Sequence, residues 1–118
     1  MREIKFRAWD TVLSKFFDGD ILNDYNLGDF LNDDRYIVTQ YTGLKVKNGR
    51  EIYEGDITID GYGTVTVIEN DGFQWLERIV RLRDRHISKE ILIMTKANAF
   101  RCEVIGNIYE NPELLEGE

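Results

Sequence analysis

An Asn-Gly pair at positions 48 and 49, set between the β-prone flanks Gln40 to Lys47 and Arg50 to Ile57, most constrains how this chain can fold. Asn48-Gly49 supplies the two positive-φ residues of a type I′ turn, so the flanks are expected to return antiparallel. More turn signals follow in close succession: Glu54-Gly55-Asp56, Asp60-Gly61-Tyr62-Gly63 and Asn70-Asp71-Gly72. Short strands at spacings of about 8 to 12 residues point to a small barrel or sandwich. The order strand, Glu-Gly-Asp, strand, Gly-rich turn, strand, Asp-Gly turn, strand is that of an SH3-type barrel. The fold class is therefore read as mainly β: a small SH3-type barrel with irregular connections and a short C-terminal helical turn.

The remaining segments vary in legibility. Ile4, Phe6 and Ala8 alternate with Glu3, Lys5, Arg7 and Trp9, the pattern of a half-buried strand. A second strand or turn is expected within Lys15 to Leu22. The Asn- and Asp-rich stretch Asn23 to Asp34 reads as a connection with at most a short helical turn. Tyr36 to Tyr41 is rich in branched and aromatic residues and predicts a strand. Ile79 to Ala99 suits helix or strand, with strand favoured for Ile91 to Met94. A final strand is expected over Val104 to Ile108. Asn111 can then cap a short helix that has Pro112 at its first position and docks through Leu114 and Leu115. Glu116 to Glu118 are expected to fray.

At 118 residues with 42% hydrophobic content, the chain suits one domain with one core over residues 1–118. No apolar run approaches the ~20 residues of a membrane span, and the N-terminus lacks the apolar core of a secretion signal. A cytoplasmic protein is expected, in agreement with the single cysteine, Cys102. The net charge of −7 opposes attraction to nucleic-acid phosphates. One basic island interrupts it: Arg78, Arg81, Arg83, Arg85 and Lys89 against Asp84 give a local +4.

Counting residues bears on most chemistry. One His and one Cys cannot make a closed zinc site, and His86 sits among arginines. Ser14 and Ser88 lie in no nucleophile-elbow context, and there is neither a phosphate loop nor a dinucleotide fingerprint. No catalytic residue, cofactor or metal ligand is therefore assigned. Glu51, Glu54, Asp56 and Asp60 supply oxygen ligands that suit calcium, but their spacing fits no calcium loop. The alternative is structural: Gly55 permits a tight bend and Asp56 accepts backbone hydrogen bonds across it. Trp9, Tyr41, Tyr53, Tyr62, Trp75 and Tyr109 are either a stacking platform or packing. Arg81, Arg83 and Arg85, spaced two apart, would form an anion-binding stripe on a strand, or would pair with the chain's own acidic surface.

Three blocks, Ile4 to Asp10, Gln40 to Ile57 and Glu103 to Leu115, resemble the YopX family of phage and prophage proteins. The resemblance spans nearly the whole chain and is least supported from Ile79 to Arg101. Its signature positions here are Trp9, Tyr41, Gly43, Asn48, Gly49, Tyr53, Gly55, Asp56, Gly106, Asn107, Tyr109 and Pro112. One departure is Val46, where a polar residue is more usual in a hairpin leading to Asn-Gly. The resemblance implies a barrel in a bacterial host and brings no activity with it. The function expected is that of a non-enzymatic accessory protein that assembles with itself, as a trimer by analogy, and contacts a host or phage protein. The rival is a nucleic-acid-binding module that uses the Arg78 to Lys89 island.

Overall fold

The computed structural model describes residues 5–17, 27–82 and 90–115. The chain runs β1 (Phe6–Asp10), β2 (Lys15–Phe17), α1 (Leu27–Leu31), β3 (Tyr36–Lys45), β4 (Glu51–Tyr53), β5 (Asp56–Asp60), β6 (Val65–Asn70), β7 (Trp75–Arg81), β8 (Ile91–Ile93), α2 (Lys96–Arg101), β9 (Cys102–Asn107) and a 3-10 turn, Pro112–Leu115. The mainly β expectation holds. Strand pairing divides into two antiparallel sheets where the sequence suggested a single barrel: β2-β1-β3-β4, and β8-β7-β6-β5-β9, the latter curled into a half-barrel.

The β3–β4 hairpin forms, but its turn is not type I′. Gly49 alone has a positive φ, +90°, and Asn48 does not. Gly49 N–H donates to the Val46 carbonyl (2.9 Å), and Val46 N–H donates to the Arg50 carbonyl (3.0 Å). This is a three-residue loop, a type I turn closed by a left-handed glycine. Asn48 Oδ1 accepts from Arg50 N–H (3.0 Å), so its side chain locks the turn while its backbone keeps a negative φ.

Strand β1 is covered on both faces, where the alternation suggested one. Phe6 and Ala8 pack with Phe17, Phe30, Tyr36 and Val38 beneath α1. Opposite them, Arg7 and Trp9 face the larger sheet and its C-terminal extension. Alternation specifies which side chains share a face; whether a second layer covers the polar face is a tertiary matter.

The larger sheet also has two covered faces. Ile57, Val65 and Val67 pack under Val80, Ile108, Leu114 and Leu115. The 3-10 turn thus docks as expected, although Asn111 Oδ1 accepts from Asn107 N–H (3.3 Å) rather than capping it. The other face meets the smaller sheet: Ile68, Trp75, Cys102 and Val104 pack with Val46, Ile52, Met94 and Ala99. Val46 is apolar because it belongs to this shared core. Helix α2, not anticipated within the ambiguous segment, begins at Thr95, whose side chain accepts from Asn98 N–H (3.1 Å).

Candidate binding cleft and sheet edge

Eight of the signature residues gather at one joint between the sheets. The turn Glu54-Gly55 carries the chain from β4 in one sheet to β5 in the other. Asp56, just past the turn, accepts from Tyr53 N–H (2.8 Å), the bend-locking role expected of it, and from Arg7 Nη2 (2.6 Å). The Arg7 guanidinium lies over the rings of Phe16 (4.2 Å) and Tyr53 (4.5 Å). Burial pushes the Asp56 carboxyl up, against the pull of Arg7 and the Tyr53 amide. Trp9 stacks on Tyr109 at 5.8 Å. Asn107 Oδ1 accepts from the amides of Tyr109 (3.1 Å) and Glu110 (2.9 Å), and Pro112 opens the 3-10 turn beyond. Gly106 approaches Asn111 so closely that a Cβ would lie 2.5 Å from its Oδ1. Tyr41 stands beside Tyr53, whereas Gly43, Asn48 and Gly49 belong to the β3–β4 hairpin.

Sequence reasoning missed the arginine of this joint and a second ion pair, whose carboxylate is buried. Asp10, wholly buried, accepts from Arg35 Nε (3.0 Å) and Nη2 (2.9 Å) and from the amides of Val12 (2.9 Å) and Leu13 (3.0 Å). These bonds, Arg35 foremost, hold its carboxyl at about 2. The four carboxylates weighed for calcium do not converge: Glu51 pairs with Lys5, Asp56 with Arg7, and Asp60 accepts from Tyr62 and Thr64 amides. Among the described residues no three His, Cys, Asp or Glu side chains could hold a metal together.

A different place has the geometry of a ligand site. Where the inner face of the half-barrel passes beyond the smaller sheet, its side chains turn polar: Thr58 and Thr66, bonded to each other, and Glu77. Helix α2 stands over them and contributes Asn98. Together with Asp60 and Cys102 they line a cleft of about 570 Å³, rimmed by Tyr62, Leu92 and Phe100. Glu77 is buried, and burial and the like charge of Asp60 push its carboxyl up. Burial likewise pushes the Cys102 thiol up to about 11, which leaves it a neutral, unreactive group. The six aromatics do not form one platform: Trp9, Tyr53 and Tyr109 are at the joint, Tyr41 beside it, Trp75 in the shared core and Tyr62 on the cleft rim.

The cleft adjoins β8, which contributes Leu92 to its rim. Among the described residues β8 pairs only with β7, yet Ile91, Leu92 and Ile93 are 55%, 44% and 57% exposed. Arg81 ends β7, and Arg83, Arg85 and His86 lie outside the described residues. Arg78, the first of the basic island, pairs with Glu69 (3.0 Å).

The family model described as YopX protein matches residues 21–116. The chain belongs to the YopX family. The match begins after β2, so Arg7, Trp9 and Phe16 of the joint precede it. The fold is also that of protein EF1440 from Enterococcus faecalis, known from a crystal structure, at 24% identity and a TM-score of 0.68 over 98% of this YopX chain and 100% of that one. No curated protein matches. No helix among the described residues of this YopX protein is long and apolar enough to cross a membrane.

Proposed function

We propose that this YopX protein is a non-enzymatic, self-assembling binding module that contacts a protein partner in the cytoplasm of a phage-bearing bacterium. The observation that carries the reading is β8, among the described residues an edge strand, with three consecutive exposed apolar side chains. Unpaired backbone groups on such an edge are a template for another strand, and soluble proteins ordinarily blunt it with charge, proline or a bulge. Here Ile-Leu-Ile stands in their place, which favours a contact that removes both the apolar surface and the open ladder from water. The nucleic-acid reading is weaker, because Arg78 is already engaged by Glu69 and the net charge is −7.

Light scattering tests the assembly. The wild type should have a mass that is a multiple of 13.8 kDa, three-fold by family analogy, and an Ile91→Lys, Ile93→Lys double variant should shift toward 13.8 kDa with its circular dichroism unchanged. A monomer at all concentrations overturns the reading. Low-micromolar binding of DNA or RNA at physiological salt would favour the rival.

A further inference from the structure

We propose that the cleft over Glu77 binds a cationic nitrogen head group, an ammonium or guanidinium carried on a short aliphatic stem. Glu77 is only 6% exposed, yet its hydrogen bond among the described residues is a single contact from Asn98 Nδ2 at 3.5 Å, the outer limit for such a bond. An ionised carboxylate offers about four acceptor positions, and among the described residues this one, part of the cleft lining, accepts a single weak contact. A buried carboxylate is ordinarily paired.

The surroundings specify what would complete it. From β5, Asp60 adds a second negative charge; from β9, Cys102 adds a neutral thiol; Thr58 and Thr66 bond each other. Lys47 and Arg101 also line the cleft, but among the described residues the influences acting on Glu77 are its burial, the Asp60 charge and the Asn98 amide, with no cation among them. The Lys47 ammonium lies 5.9 Å from the centre of the Phe100 ring, at the rim. Among the described residues Glu77 therefore meets an amide and a like charge but no charged donor. Phe100 and Tyr62 offer aromatic faces and Leu92 an apolar edge to a stem that passes out of the cleft. A volume of about 570 Å³ is ample for one such group.

The head group could come from a free small amine or from an arginine or lysine side chain of a partner, and the test has an arm for each. The full-length protein is titrated with butylguanidinium and with the uncharged isostere butylurea, following the amide resonances of Thr58, Thr66, Glu77 and Asn98 by NMR. Butylguanidinium should shift them saturably and butylurea should not. Glu77→Gln should weaken binding about ten-fold, the effect of losing one charge-assisted hydrogen bond. Should that variant not fold, Asp60→Asn, which keeps the oxygen that accepts from Tyr62 and Thr64, should weaken binding by a smaller factor. Affinity in the wild type should fall as pH is lowered through the raised Glu77 range, where the carboxylate takes up a proton, and the Gln variant should lack that dependence. A blocked Gly-Arg-Gly peptide that binds more tightly than butylguanidinium identifies a partner's side chain as the source; weaker binding identifies a small molecule. Absence of saturable shifts, equal binding of butylurea, or unchanged affinity in folded Glu77→Gln overturns the proposal.

Discussion

Gly49 and Gly55 share a left-handed backbone, at +90° and +88°, and differ in what surrounds them. A Cβ at Gly49 meets nothing within 4 Å, so Gly49→Ala should cost only the backbone term, roughly 1 kcal/mol. At Gly55 a Cβ would also lie 3.0 Å from the Tyr109 ring, which is held against Trp9 and cannot step aside freely. Urea denaturation should therefore rank Gly55→Ala as clearly more destabilising than Gly49→Ala; equal losses would count against a rigid joint. Asp10 carries a pH signature of the opposite kind to Glu77. Its folded-state value of about 2 lies below the usual 3.8, so its pairing with Arg35 stabilises the fold fully above the usual value and is lost as pH falls through about 2. The stability gap between wild type and Asp10→Asn should accordingly close on acidification from about pH 4 to pH 2. Glu77, with its carboxyl pushed up, works the other way: it favours the fold below its unfolded value and loses that contribution as pH rises through the folded one.

At the scale of elements, legibility followed how locally each structure is determined. The glycine turns, the β5–β6–β7 meander and the docked 3-10 turn are written in residues a few positions apart, and all three appear. The Asn48-Gly49 pair marks the position of the turn but not its class, because the register of Lys45 with Glu51 leaves three residues to close the loop instead of two. Arg7 and Glu77 could not be read as interior. A lone charge within an alternating strand looks like a solvent-facing residue, and only the packing of one sheet on another reverses that. Thr95, by contrast, was an available N-cap signal for α2. The Arg7–Asp56 bond, with side chains 15% and 2% exposed, is the element-scale consequence of this packing, since it ties β1 to β5 across the joint. Arg7→Met should strand a buried carboxylate and cost about 3–5 kcal/mol in chemical denaturation, and adding Asp56→Asn should recover a large part of the loss. A variant as stable as wild type would show that the pair contributes no net stability.

Across the whole molecule, two sheets could in principle melt separately, and the placement of their shared contacts argues that they do not. The central core draws Val46 and Ile52 from one side and Ile68, Trp75 and Val104 from the other, so neither sheet can lose its structure without exposing the other's apolar face. The corner adds directional ties. Glu54 N–H donates to Gln40 in the smaller sheet (2.9 Å), Gly55 N–H donates to Ile68 in the larger one (2.8 Å), and Ile108 N–H donates back to Gly55 (2.9 Å). The two tryptophans report on different parts of this arrangement, Trp9 on the β1 side of the joint and Trp75 on the core face of β7. In Trp75→Phe, fluorescence follows the joint alone, and in Trp9→Phe it follows the larger sheet. We expect the fluorescence transition in each variant to overlay that variant's own far-ultraviolet circular dichroism in urea, as a single cooperative unit requires. A Trp9 signal that changed at lower urea than the circular dichroism would show that the smaller sheet and its joint detach first, and would make the Arg7–Asp56 tie a local contact instead of a link between sheets.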